Sequence, residues 1–258
     1  MVNRLKNKTA IVSGAAQGIG LAIATAFVDE GARVALVDID GRRGREATSA
    51  LALRGAEVCF VEADVADSTA VDTMVAQATE RLGAPNVLIN NAGIVVFRDP
   101  LDTTAEDWRH CFAVDLDGVW NCSRAVLPHL LRHGRGDIIN IASVHASQII
   151  PKCFPYPVAK HAVIGLTRAL AIEYADRDIR VNAISPGYIG TEIVERIFAS
   201  ALDPDKLRAE TNALHPVKRI GRPEEIAAAA VFLASDEARF LTAQNIVIDG
   251  GRSVVFHQ

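Results

Sequence analysis

The 258-residue chain is 50% hydrophobic and 22% charged, and its 31 Asp plus Glu exceed its 27 Lys plus Arg for a formal net charge of -4. That composition excludes disordered and collagen-like classes, and without a basic excess a nucleic-acid partner is not expected. The longest uninterrupted apolar run, residues 226–234, is far shorter than the ~20 residues a membrane span needs.

In chain order the pattern predicts a strand over 9–12, a glycine-rich turn over 13–20, a helix over 21–30 and a second strand over 33–37. Further strands are expected over 57–61, 86–90, 137–142, 179–184 and 245–249, with helices over 68–82, 108–132, 158–174 and 223–233 between them. Alternating strands and helices imply βαβ units and a parallel sheet. Each strand is a nearly continuous apolar run, as expected when helices cover both faces. The expected fold is therefore α/β: a doubly wound, mostly parallel seven-stranded sheet of Rossmann-like type. No linker, charge block or repeat divides the chain, so a single domain over 1–258 is expected. Residues 187–222 have the least strand character and carry helical fragments over 192–201 and 204–213, an insertion suited to cover a site as a substrate lid.

The four cysteines, Cys59, Cys111, Cys122 and Cys153, are too widely spaced for a disulfide framework or zinc pairs and are expected as reduced thiols, mostly in the core. No long apolar stretch precedes the first strand, so a cytoplasmic location is expected. His129 and His133 have metal-ligand spacing but no accompanying Glu; both are expected in solvent, and no metal is expected.

The first turn reads Ser13-Gly14-Ala15-Ala16-Gln17-Gly18-Ile19-Gly20 and opens a helix. Glycines let the backbone approach a pyrophosphate, and the helix start offers unpaired N–H groups and a positive dipole end. A tight turn without a ligand would use the same glycines, so the second signal matters. Asp38 ends the second strand where an acidic residue meets an adenosine ribose. A 2′-phosphate there would meet a repulsion of roughly 4 kcal/mol at 4 Å and an effective dielectric of 20, which favours NAD over NADP. Arg42 and Arg43 follow and could receive a phosphate, but position 39 is Ile, and the two arginines are expected on a solvated first helical turn. Further along, Tyr156 and Lys160 stand at i and i+4, on one helix face, where an ammonium can stabilise a phenolate for acid–base work.

Ser13 to Gly20, Asp38, Asp64, Asn90-Asn91-Ala92-Gly93, Ser143, Tyr156-x-x-x-Lys160 and Pro186-Gly187 occur together and in order. This set resembles the classical short-chain dehydrogenase/reductases over essentially the whole chain. The resemblance implies Tyr156 as general acid/base, Ser143 as hydrogen-bond donor to the reacting oxygen, and Lys160 as the residue that binds the nicotinamide ribose and lowers the tyrosine pKa. It further implies that Gly14, Gln17, Gly18, Ile19 and Gly20 hold the pyrophosphate. Asp64 and Val65 would flank the adenine, Asn91, Ala92 and Gly93 the cofactor's middle, and Pro186, Gly187, Ile189 and Thr191 the nicotinamide side. A homotetramer of 222 symmetry is implied in the same way.

Two positions depart from the family pattern: Ser13 stands for the usual Thr and keeps the hydroxyl, and Asp115, in Val114-Asp115-Leu116, stands for the usual Asn. An Asp115 linked to Lys160 through a water would oppose formation of the tyrosinate; alternatively it faces solvent or is neutralised by Lys160. Residues 144–155, with His145, Gln148, Lys152 and Phe154, and residues 188–214 are expected to line the substrate, and their polar groups suit a polyhydroxylated ligand. The segment after Ser143 and the tail D-G-G-R-S-V-V-F-H also resemble the family branch that oxidises aldoses such as D-galactose or L-arabinose at C1. The expectation is an NAD-dependent aldose 1-dehydrogenase yielding a lactone. A 3-oxoacyl thioester reductase and a non-catalytic dinucleotide sensor of the same fold are the alternatives.

Overall fold

Strands buried on both faces leave helices no choice but to cover the sheet from above and below. The computed structural model describes residues 3–255. Its strands are β1 (Thr9–Ser13), β2 (Arg33–Asp38), β3 (Val58–Glu62), β4 (Val87–Asn90), β5 (Phe97–Arg98), β6 (Gly136–Ile141), β7 (Phe154–Pro155), β8 (Ile179–Pro186) and β9 (Asn245–Ile248). Its α-helices are α1 (Gly18–Asp29), α2 (Gly41–Ala52), α3 (Ser68–Leu82), α4 (Ala105–Phe112), α5 (Gly118–His133), α6 (Tyr156–Tyr174), α7 (Glu192–Ala199), α8 (Pro204–Ala213) and α9 (Pro223–Ala234).

The seven expected strands pair in parallel in the order β3-β2-β1-β4-β6-β8-β9. One face packs on α1, α2 and α9 through Ile23, Phe27, Leu51, Ile226 and Val231. The other packs on α3, α5 and α6 through Val71, Met74, Val126, Leu130 and Leu170. Strand order reverses between β1 and β4, and a crevice opens beyond the carboxyl ends of these two strands.

Three elements depart from the periodicity. Helix α2 is absent from the expected helices because its inward positions are glycines: a Cβ on Gly44 would lie 2.0 Å from the Phe60 ring. The short antiparallel pair β5–β7 is too brief to leave a pattern. The expected helix over 108–132 is three pieces, because the backbone widens into a π-helical turn at Ala113–Asp117 between α4 and α5. Such bulges turn one residue inward and recur at functional sites; here the residue is Asp115, fully buried.

At the amino ends of the strands, away from the crevice, Asp137 on β6 is buried between Lys8 (3.1 Å) and Arg180 (2.6 Å). Arg180 also donates to the carbonyls of Leu233 and Ala238, so this cluster ties the end of α9 to the sheet. Removing Asp137 leaves the buried charges of Lys8 and Arg180 without the carboxylate they share. Asp137→Ala is expected to cost about 3 kcal/mol, a fall in Tm of roughly 6 °C or more, with cofactor affinity unchanged. An unchanged melting temperature in a thermal scan would show that the cluster contributes nothing.

Candidate active site

The crevice begins with the hydroxyl of Ser13 at the end of β1. It accepts the Asn91 and Ala92 N–H groups (3.0 and 3.1 Å) and donates to the Ile89 carbonyl (3.3 Å), fastening β1 to the end of β4. Asn91 returns its amide N–H to the Ser13 and Gly14 carbonyls. Packing here leaves no room for side chains: a Cβ on Gly20 would fall 2.1 Å from the Gly14 oxygen, and Gly14 itself holds φ +62°. Helix α1 starts without a side-chain cap and without an acidic residue in its first turn, so its N–H groups are open to an anion.

Asp38, at the end of β2, accepts the Ala16 N–H (2.9 Å) on one oxygen and the Asp40 N–H (3.0 Å) on the other. These bonds aim the carboxylate over the turn and leave lone pairs for ribose hydroxyls. Val65 is buried beyond β3 while Asp64 is exposed, its carboxylate accepting the Ala66 N–H (2.9 Å). Arg43 does not sit in solvent as expected. Its guanidinium donates to the Gln17 side-chain oxygen and pairs with Glu192 of α7 at 2.8 Å, because Asp40 caps α2 and the helix start faces the lid. Arg42 does remain on the surface, paired with Glu46.

Tyr156 opens α6 and Lys160 follows one turn later, its ammonium 5.4 Å from the phenol ring centre. Asp115 reaches this pair directly. Its Oδ1 is 3.0 Å from Lys160 Nζ and accepts the Ile94 N–H (3.2 Å), while Oδ2 faces the buried Cys111 thiol at 3.6 Å. Of the sequence alternatives, contact through water and exposure to solvent are both excluded; Asp115 pairs directly with Lys160. A Cβ on Gly93 would lie 2.7 Å from Asp115 Oδ1 and 3.3 Å from Lys160 Nζ, so the ion pair lies flush against that glycine. Lys160 also donates to the Ile141 carbonyl (3.4 Å). A buried chain from Asn90 through Asn140 to Thr167 fixes α6 against β4 and β6.

Burial pushes the Tyr156 phenol above its ordinary pKa; Lys160 and the Ser143 hydroxyl pull it back, and Asp115 pushes it further up. Burial would lower the Lys160 pKa, but Asp115 and Tyr156 overcome this and hold it above its ordinary value. Burial likewise drives the Cys111 thiol up to about 12, so it is a neutral donor and no nucleophile.

On the substrate side, His145 lies in a short 3₁₀ turn after Ser143, whose hydroxyl accepts the His145 N–H (3.1 Å). The imidazole and the Tyr156 phenol meet edge to face at 6.1 Å. Phe97, from β5, packs against both rings at 5.9 and 5.7 Å. Sequence reasoning missed Phe97, since a two-residue strand carries no periodic signal; the ring is placed by pairing of β5 with β7. Gln148 and Lys152 are exposed. The lid fragments form α7 and α8 and are anchored at their base by Gly190 and Gly221, which bond to the Gly221 and Tyr188 carbonyls (2.9 and 2.8 Å). Ile189 is buried, and Thr191 lies against Gly18, bringing the lid's start to the pyrophosphate turn. Gly187, after Pro186, packs against Asp249, where a Cβ would lie only 2.8 Å away.

Of the paired histidines, His133 is exposed, but His129 is half-buried in a groove between α3 and α5, where burial lowers its pKa. Among the described residues no helix is long and apolar enough to cross a membrane, and no cluster of His, Cys, Asp or Glu could hold a metal ion. All four cysteines are buried and free. Phe256 and His257 of the tail lie outside the described residues.

A cradle without side chains, an uncapped helix start, an aimed Asp38 carboxylate and a buried ammonium beside a phenol together fit a nicotinamide dinucleotide. Comparison with known proteins agrees: residues 14–253 match the family model described as enoyl-(acyl carrier protein) reductase. The chain belongs to the short-chain dehydrogenase/reductase family. Oxidoreductase UcpA of Salmonella typhimurium is 39% identical over 256 residues, covering 98% of this chain and 97% of that protein. Thermoplasma acidophilum aldohexose dehydrogenase is 35% identical with a TM-score of 0.90, covering 99% of this chain and 98% of that one. A protein of Beutenbergia cavernae provisionally named an NAD(P)-dependent gluconate 5-dehydrogenase, with NADP bound at low occupancy, is 35% identical with a TM-score of 0.91, covering 99% and 100%. The chain is an oxidoreductase of this family and binds a nicotinamide dinucleotide.

The direct ion pair makes a pH prediction. Asp115 raises the Tyr156 pKa, so replacing its charge should lower it. Asp115→Asn keeps the shape and an acceptor for Lys160, and the alkaline rise of the oxidation rate should move to lower pH. Superimposable pH–rate profiles of the two proteins would show that Lys160 cancels the aspartate's charge completely.

Proposed function

We propose that the chain oxidises a secondary alcohol or hemiacetal carbon of a sugar-like polyol, with NAD as its preferred acceptor. The observation that carries this reading is the Tyr156 phenol, which has the Lys160 ammonium 5.4 Å from its ring centre and is pulled toward the phenolate by Lys160 and the Ser143 hydroxyl. Gly14, Gln17, Gly18, Ile19 and Gly20 would hold the pyrophosphate, Asp38 the adenosine ribose, and Asp64 with Val65 the adenine. Asn91, Ala92 and Gly93 would line the middle, and Lys160, Pro186, Gly187, Ile189 and Thr191 the nicotinamide side. When bound, the dinucleotide supplies the hydride acceptor. The protein's residues manage the proton. Tyr156 Oη, as phenolate, takes the proton from the carbinol; Ser143 Oγ hydrogen-bonds the same oxygen and orients it; Lys160 stabilises the phenolate. Asp115 keeps Lys160 charged and in place.

The polar His145 and the apolar face of Phe97 suit the two sides of a sugar, its hydroxyls and its C–H groups. An aldose oxidised at C1 to the lactone is the substrate type this pocket and the aldohexose dehydrogenase relative favour. The intact Ser143, Tyr156 and Lys160 speak against a silent sensor. The second reading is a 3-oxoacyl thioester reductase; the matching family model, described as enoyl-(acyl carrier protein) reductase, supports only the acyl-carrier part of it. A panel of aldoses, sugar acids, simple alcohols and 3-oxoacyl thioesters, assayed with NAD(H) and NADP(H), decides between them. The family resemblance also leads us to propose a homotetramer, testable by light scattering.

Tyr156→Phe should lower turnover by at least ~100-fold while NADH affinity changes little; retained turnover would assign the proton to another group. For the cofactor, specificity constants should favour NAD over NADP. Asp38→Ala should narrow that ratio by ~10-fold or more, as a lost repulsion of even ~1.4 kcal/mol requires. A ratio unmoved by the substitution would remove Asp38 from the discrimination, and Arg43, already paired with Glu192 and Asp40, would become the group to examine.

A further inference from the structure

The substrate side of the crevice holds a cation that the reaction does not use. Arg252 sits on the 3₁₀ turn Arg252–Val254 beyond β9, a turn fixed by Asp249, whose two carboxylate oxygens accept the Gly251 and Ser253 N–H groups (2.9 and 2.6 Å). Its guanidinium lies over the Tyr188 ring, 5.1 Å from the centre, and the side chain is half-buried. Several other partly or fully buried arginines meet a carboxylate: Arg4 meets Glu30, Arg43 meets Glu192, Arg180 meets Asp137 and Arg239 meets Asp178. Arg252 has no carboxylate within ion-pair distance among the described residues. A guanidinium stacked on an aromatic face keeps its in-plane N–H groups free, the geometry that takes a carboxylate with two hydrogen bonds.

Its neighbours add acceptors for a sugar's hydroxyls, because His215 and His145 both turn Nδ1 to a backbone carbonyl and leave Nε2 as the accepting nitrogen. Tyr188 also packs edge to face on His215 (6.1 Å), a fully buried imidazole whose Nδ1 bonds the Thr211 carbonyl (2.9 Å). The Nε2 of that ring is buried without a partner among the described residues. A buried polar atom left unpaired is costly unless a ligand or water completes it. On the other side, His145 lies close enough to feel the Arg252 charge: burial holds its pKa below the ordinary value and the cation adds to that effect. The Nδ1 of His145 faces the Gln148 carbonyl at 2.9 Å, and a carbonyl only accepts, so this nitrogen carries the hydrogen and Nε2 is the acceptor. His145 thus has the Tyr156 phenol on one side, at 6.1 Å, and lies within range of the Arg252 charge.

We propose that the substrate is a sugar that bears a carboxylate several carbon atoms from the reacting carbinol, and that Arg252 binds this carboxylate. The proposal rests on the dehydrogenase reading of the site and narrows its substrate class. The redox step is unchanged: the C–H hydride passes to NAD⁺, the O–H proton to Tyr156 and on to solvent, and the carbinol becomes a carbonyl. Two kinds of sugar share the chemistry. A uronate would react at its hemiacetal carbon to give a lactone, an aldonate at a secondary carbon to give a keto acid.

The test is steady-state oxidation with NAD of matched neutral and acidic pairs, D-galactose against D-galacturonate and D-glucitol against D-gluconate. The wild type should use one acid at least ~10-fold better in kcat/KM than its neutral partner, the size of one charge-assisted hydrogen bond. Arg252→Met should raise KM for that acid by ~10-fold or more with kcat little changed, and Arg252→Lys should restore part of the loss. The melting temperature and NADH affinity of both variants serve as folding controls. Preference for the neutral member of both pairs, or an Arg252→Met protein that binds the acid as well as wild type, overturns the proposal. Fluorescence titration of the NADH-loaded protein with each acid separates the two readings. If no carbinol is oxidised, the dehydrogenase reading fails, yet saturable acid binding that Arg252→Met abolishes still supports the anion site. Absence of saturable binding overturns it.

Discussion

The structure depends on a parallel sheet that is buried on both faces. Its interior positions are mostly apolar, the exceptions such as Asn140 and Asn182 being satisfied by hydrogen bonds, so charged chemistry gathers at the strand ends. At the amino ends this produces the Lys8–Asp137–Arg180 cluster, which is structural. At the carboxyl ends, where strand order reverses between β1 and β4, the glycine turn, Asp38 and Asn91 converge on one crevice. Helices α6 and α1 both deliver positive charge to that edge, the Lys160 ammonium from one and a positive dipole end from the other, beside the phenol of Tyr156. The site is thus a consequence of where the sheet permits charge.

Within the crevice, charge balance is set by a single carboxylate. Desolvation works against both the phenolate and the ammonium; Lys160 and the Ser143 hydroxyl offset it for the phenolate, and Asp115 with Tyr156 for the ammonium. Asp115 shifts that balance toward a permanently charged Lys160 and a more basic Tyr156. A buried pair of this kind contributes little net stability, but breaking it leaves an isolated charge in the protein interior. Cys111 and the Ile94 N–H complete the carboxylate's hydrogen bonds, so the aspartate is accommodated by its surroundings rather than merely tolerated.

The lid couples the two ends of the crevice. Arg43 links the adenosine side, through Gln17, to Glu192 at the start of α7, while Thr191 touches Gly18. Because Glu192 and Asp40 already neutralise Arg43, the cation nearest Asp38 is engaged within the protein. Glu195 and Arg208 hold α7 to α8 at 2.6 Å, with the Arg208 guanidinium also over Phe198.

The sequence by itself determined the alternation of elements, the two-sided burial of the sheet, the glycine turn with Asp38, and the Tyr156–Lys160 spacing. These are local properties: apolar period, backbone freedom of glycine and separation along one helix are written into consecutive residues. Even the lid helices were legible, because α7 and α8 begin at acidic and proline residues that suit a helix start. What depended on partners distant in the chain was not. The periodicity of 108–132 continues smoothly through a π-helical turn, so only the packed structure turns Asp115 inward onto Lys160. Helix α2 hides its contact face behind glycines that exist to admit Phe60, and Phe97 meets Tyr156 only because β5 pairs with β7. Arg43 and Arg252 look alike as residues in polar segments. Tertiary structure alone gives one of them a carboxylate and the other the face of the Tyr188 ring, because ion pairing is decided by which side chains folding brings within a few ångströms.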